Sequence, residues 1–93
     1  MLTRLRQHQR ELTDLGIEHL SLFGSMARGD NTASSDVDLL AVLDATRKFS
    51  LLEMVALEHR LSDLLEKPVD LAPERSLRDG IRERVLSEAV VAF

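Results

Sequence analysis

Three aspartates and one glycine–serine pair carry the chemistry open to this chain. Asp36 and Asp38 stand at i and i+2 at the head of an apolar run, Asp36-Val37-Asp38-Leu39-Leu40. In an extended segment they share one face, with Cα atoms about 6.6 Å apart at about 3.3 Å rise per residue. Aspartate is depleted from strands, and two like charges on one face repel unless a cation lies between them. Magnesium takes a few carboxylates and completes its shell with water and substrate phosphates. The plainer reading is a solvated strand start that caps the loop before it. Asp70, in Val69-Asp70-Leu71, is a second acidic interruption of an apolar strand. If the two strands are neighbours, three carboxylates converge. Two can hold metal, and the third can accept a proton from an attacking hydroxyl or share the metal. The competing reading of Asp70 is an edge-strand charge that discourages aggregation.

Ten residues separate Asp36 from Gly24-Ser25, which stands at the end of one apolar segment and the start of a short helical one. Backbone N–H groups at a helix start welcome an anion. Gly24 lets the chain turn and lets a phosphate approach with no Cβ in the way. Ser25 adds a hydroxyl, or simply caps the helix. Arg28 falls on the same side of that helix as Ser25. It can neutralise a triphosphate or pair with Asp30. A turn for phosphates and carboxylates for a metal are two halves of a nucleotide site. Other candidates are weaker. Arg47 and Lys48 read as a solvated loop, His8, His19 and His59 have no ligand spacing, and Arg4, Arg6 and Arg10 form a solvated face with Glu11.

The elements that must position these groups are legible in outline. Leu2, Leu5, Leu12 and Leu15 mark a helix over 2–15 that Gly16 stops. Residues 18–23 alternate as a strand, 26–29 form one helical turn, and 30–35 form a polar loop. Residues 36–43 are a Val- and Leu-rich strand. Ser50 and Glu53 form a capping box opening a helix to Glu66, with Leu51, Val55, Leu61, Leu64 and Leu65 as its core stripe. Lys67-Pro68 ends it. Residues 69–71 are a short strand, 76–87 a last helix with Leu77, Ile81 and Val85 at four-residue spacing, and 89–93 a final strand or a tail. This order predicts an α+β (mixed α/β) fold, a small mixed β-sheet flanked by helices.

With 93 residues, one domain over 1–93 is expected, with a single core built from the 44% of hydrophobic residues. The chain has no cysteine, so disulfides and thiolate metal sites are excluded and a reducing cytoplasm is suited. No apolar run approaches a membrane span, and the start lacks a signal-peptide pattern. A net charge of −4 and three Phe with no Tyr or Trp argue against nucleic acid as the main partner.

These residues, Gly24-Ser25, then Asp36-x-Asp38, then Asp70 on a strand, resemble the polymerase-beta-like nucleotidyltransferase superfamily. The wording GSMARGD…SDVDLLAV is most similar to its minimal nucleotidyltransferases, the MNT family. The resemblance covers about Ile17 to Leu71 well and departs from the pattern at no key position. It implies transfer of a nucleoside monophosphate from a nucleoside triphosphate to a hydroxyl, with release of pyrophosphate. It assigns Asp36 and Asp38 to two magnesium ions, Asp70 to the third carboxylate and general base, and Gly24 and Ser25 to the triphosphate. MNT proteins commonly accompany a HEPN-type RNase toxin. There they act as antitoxins by moving AMP from ATP onto a toxin tyrosine (AMPylation), which implies a hetero-oligomer with the toxin.

Two features of the chain fit that implication. About 20 residues follow Asp70, too few for a second domain that grips the acceptor, so a partner is expected to supply that wall. The chain has no tyrosine, so a tyrosine acceptor must lie on another molecule. Transfer to a small molecule or an RNA end, or a non-enzymatic binding antitoxin, are the alternative readings.

Overall fold

The structure, a computed structural model, describes residues 1–30, 32 and 34–93. The expected polar loop over 30–35 therefore lies partly outside the described residues, at Asn31 and Ala33. Two short helices, α1 (Leu2–Gln7) and α2 (Gln9–Asp14), lead into strand β1 (Ile17–Phe23) and a four-residue helix α3 (Ser25–Arg28). Strand β2 (Val37–Leu43), helix α4 (Leu51–Leu65) and strand β3 (Val69–Pro73) follow. A 3₁₀ turn (Glu74–Ser76), helix α5 (Asp79–Glu88) and strand β4 (Val90–Val91) complete the chain.

The four strands form one mixed sheet in the order β3-β2-β1-β4. β1 runs antiparallel to both β2 and β4, whereas β3 runs parallel to β2. The parallel pair needs a crossover, and α4 provides it. Period-two alternation then sorts the sheet into two faces. Val37, Leu39, Ala41 and Leu43 are buried on one face with Leu20, Leu22 and Leu71. Leu5 and Leu12 of α1 and α2, and Leu57, Leu61, Leu64 and Leu65 of α4, complete this core. The other face carries Asp38 and Leu40 of β2.

Helix α4 opens as expected. Ser50 Oγ accepts from the Glu53 amide (3.1 Å), and Glu53 Oε1 accepts from the Ser50 amide (3.4 Å). Its buried stripe, however, differs from the expected one. Leu51 is 80% exposed and Val55 39%, while Leu57 is buried. At 100° per residue, Leu51 and Val55 lie roughly 90–130° around the helix from the centre of the 57, 61, 64, 65 face. Six leucines in the helix left room for a stripe drawn too wide.

Two expected helices also change. The segment 2–15 breaks at His8, whose amide turns back to the Leu5 carbonyl (3.2 Å) before α2 resumes. The segment 76–87 becomes a 3₁₀ turn and a later helix, because Leu77 and Arg78 are extended. Leu77 therefore lies outside α5, Ile81 is 54% exposed, and α5 buries no residue. The last segment is a strand, with Ala92 buried against the core.

Candidate active site

The site lies where β1 ends and β2 and β3 begin. Asp38 is the in-register partner of Asp70 on parallel β3 and of Phe23 on antiparallel β1. In-register residues on neighbouring strands point to the same side, and neighbouring strands lie about 4.8 Å apart. Asp36 precedes β2 by one residue and stands two before Asp38. Sheet pairing thus brings all three predicted carboxylates to one end of the sheet, with Asp38 between the other two.

The electrostatics agree. The carboxyl of Asp38 is pushed above its ordinary value of 3.8, first by burial and then by the nearby charges of Asp70 and Asp36, while Arg28 pulls it back. Half-burying a carboxylate between two others is unfavourable without a cation. Among the described residues, no three ligating side chains are gathered into a ready-made metal cage. The donor set nevertheless fits a hard divalent cation, because such ions take one or two carboxylates and draw their remaining oxygens from water and phosphate.

Gly24 follows β1 and borders the carboxylates. Its backbone sits at φ 72°, ψ −150°, a region open to glycine alone. A Cβ built there would collide with Asp38 Oδ2 and lie 3.2 Å from Asp38 Cγ. Ser25 is the first residue of α3, and its carbonyl accepts the amides of Gly29 (2.9 Å) and Asp30 (3.1 Å), closing a tight turn. Gly29 ends α3 in the left-handed conformation (φ 79°), as expected of a helix stop. Arg28 pairs with Asp30 (Nε to Oδ2, 3.2 Å) and reaches Glu88 at the end of α5 (3.9 Å). It is half-exposed, so these pairs leave it free to re-form around an anion.

Two residues that the sequence reading passed over also serve the site. β3 is an edge strand, so its outward amides need partners from elsewhere. Ser62 Oγ accepts from the Val69 amide (3.1 Å), and Glu58 Oε2 accepts from the Leu71 amide (3.3 Å). These two bonds flank Asp70 on both sides. The signal available in sequence was a polar i, i+4 pair bordering the apolar face of α4.

Of the other basic candidates, Arg47 stacks on Phe49, 5.3 Å from the ring centroid, and donates to the Asp14 carbonyl (3.3 Å). Arg4 and Arg6 bond backbone carbonyls of α4 and β4, so they are ties between elements and only in part a solvated face.

The mixed sheet carries Asp36, Asp38 and Asp70 at one end, where Gly24 packs on Asp38. The chain belongs to the nucleotidyltransferase domain family, whose model matches residues 4–92. The protein adenylyltransferase MntA of Thermococcus cleftensis is 40% identical over 87 residues, which is 92% of this chain and 86% of that protein. A solved structure assigned as a minimal nucleotidyltransferase has a TM-score of 0.76 at 37% identity, covering 91% of this chain and 86% of its own. An MNT antitoxin, solved in complex with the tri-AMPylated Shewanella oneidensis HEPN toxin, shares the fold at TM-score 0.69 and 19% identity, covering 100% of this chain and 72% of its own. Among the described residues, no helix is long and apolar enough to cross a membrane.

Proposed function

We propose that this chain is a single-domain, magnesium-dependent protein adenylyltransferase that moves AMP from ATP to a tyrosine hydroxyl of a partner HEPN RNase toxin, and so acts as a cytoplasmic antitoxin in complex with it. The observation that carries the reading is the register of Asp38 with Asp70 beneath Gly24. It is supported by the 40% identical relative named a protein adenylyltransferase, by the AMPylated toxin beside the MNT antitoxin of the same fold, and by the absence of tyrosine from the chain itself.

Asp36, Asp38 and Asp70 would hold magnesium, which supplies charge neutralisation for the triphosphate and the leaving group. Gly24 and Ser25 shape the turn against which the β- and γ-phosphates rest, and Arg28 adds a guanidinium to them. The acceptor oxygen attacks the α-phosphorus. A new O–P bond forms, the bond from the α-phosphorus to the α,β-bridging oxygen breaks, and its electron pair leaves with pyrophosphate. Asp70 takes the acceptor proton. Positioning and charge neutralisation are the main sources of rate.

Intact-mass measurement of the HEPN partner, incubated with the chain, ATP and magnesium, tests this. A gain of one AMP per modified tyrosine is expected. An unchanged mass, with the partner folded and bound, would sink the proposal.

A further inference from the structure

Glu88 ends helix α5 in a place that disfavours it. The negative end of the helix dipole lies there, where cations stabilise and carboxylates do not. The last turn of α5 carries no basic residue to compensate. The cation that Glu88 meets comes from another element: Nη1 of Arg28 lies 3.9 Å from Glu88 Oε2.

Sheet register explains the meeting. Val90 of β4 pairs with Leu22 of antiparallel β1. Carried two residues further, that register brings the end of α5 level with Gly24. The strand order β3-β2-β1-β4 therefore puts Asp70 on one flank of the candidate site and Glu88 on the other.

Arg28 is shared among acidic groups. Its Nε lies 3.2 Å from Asp30 Oδ2, and its charge is felt at Asp38, whose carboxyl it pulls down. The side chains of Arg28 and Glu88 are 49% and 44% exposed. Pairs this exposed exchange partners at little cost. Asp30 belongs to the same turn as Arg28 and travels with it. Glu88 sits on a separate element and can be left behind.

Resting on the proposed nucleotide site, we infer that Glu88 is a positioning residue that competes with the substrate for Arg28. In the empty site, Glu88 and Asp30 hold the guanidinium beside the Gly24 turn. The β- and γ-phosphates of an arriving nucleoside triphosphate take it from Glu88, and Glu88 takes it back as pyrophosphate leaves. Glu88 thereby weakens the hold on triphosphate and on pyrophosphate alike, and eases product release. AMP, which lacks both of those phosphates, is held independently of Glu88.

The test is calorimetric titration of the whole chain, in magnesium, with ATP, pyrophosphate and AMP. Glu88→Gln should tighten ATP and pyrophosphate roughly two- to fivefold, the range of one exposed ion pair, and leave AMP unchanged. In an Arg28→Gln background the same substitution should change nothing. Glu83→Gln, at an exposed position of α5, removes an equal charge about 7.5 Å further along the helix and should also change nothing. Unaltered ATP affinity in Glu88→Gln would overturn the inference. So would equal tightening in the Arg28→Gln background or in Glu83→Gln, which would mark plain charge repulsion. ATP binding that responds as expected, with no AMP transfer to the HEPN partner, would sink the proposed activity and leave the competition for Arg28 standing. No ATP binding by the wild-type chain would overturn both.

Discussion

The Asp38 carboxylate occupies the space that a side chain at position 24 would need. Gly24 is thus required twice, by its own backbone angles and by the carboxylate it faces. Gly24→Ala should lower stability by about 1–3 kcal/mol from backbone strain alone, with the collision added. Gly29→Ala meets nothing within 4 Å and should show only the backbone cost. In an Asp38→Ala background the cost of Gly24→Ala should shrink, because Oδ2 and Cγ are gone. Urea denaturation of the four proteins of this cycle measures the coupling, and strictly additive effects would contradict the contact.

Asp38 should make the metal-free protein less stable at neutral pH. Its folded-state pKa is raised by burial and by its two acidic neighbours. A raised carboxyl contributes stability that is full below its ordinary value of 3.8 and is lost as pH climbs through the folded value. Asp38→Asn should therefore raise the melting temperature of the metal-free chain at pH 7. Near pH 3 the gain should vanish. Melting curves at both pH values check this, and a gain that grows on acidification would refute it. The same substitution should abolish AMP transfer, an exchange of stability for function.

The candidate site stood out in the sequence because its residues contradict their surroundings. Aspartates inside Val- and Leu-rich strands, and a glycine at a strand end, stand out against any apolar background. Helix α4 was legible at its ends for a related reason, since Ser50 and Glu53 satisfy local backbone donors that need no tertiary partner. The rest depended on distant partners. Which flank of α4 is buried was set by the sheet and by α1, and no feature of Leu51 or Val55 separates them from Leu57. The late start of α5 and the link from Arg28 to Glu88, 60 residues away in sequence, exist only once the sheet has formed.

Removing the divalent ion and removing the base should fail differently. Chelation should abolish transfer and weaken nucleotide binding together, because the phosphates and carboxylates then repel. Asp70→Asn keeps Asp36 and Asp38, so nucleotide binding should change only a few-fold while kcat falls by roughly 10²–10⁴. The Asp36→Asn/Asp38→Asn double variant should lose both. Equilibrium binding of ATP with magnesium, set beside single-turnover transfer, separates these outcomes. Transfer that survives the double variant would remove the carboxylates from the mechanism.

The bonds from Ser62 and Glu58 to the amides either side of Asp70 lead to a prediction about positioning. An edge strand held on one side only can slide or fray. Val69 and Leu71 are fixed on their outer edge by α4 side chains, so Asp70 is held level with Asp38 from both directions. Ser62→Ala should cost about 0.5–1.5 kcal/mol of stability for the lost bond. Its larger effect should fall on kcat, because the base shifts against the reacting oxygen while Gly24, Asp36 and Asp38 stay in place. Glu58→Ala should behave alike, and Glu58→Gln, which keeps a carbonyl acceptor for the Leu71 amide, should recover most of the rate. Hydrogen exchange of the Val69 and Leu71 amides reports the clamp directly. If exchange quickens in Ser62→Ala while kcat holds, the clamp supports the fold and does not position the base.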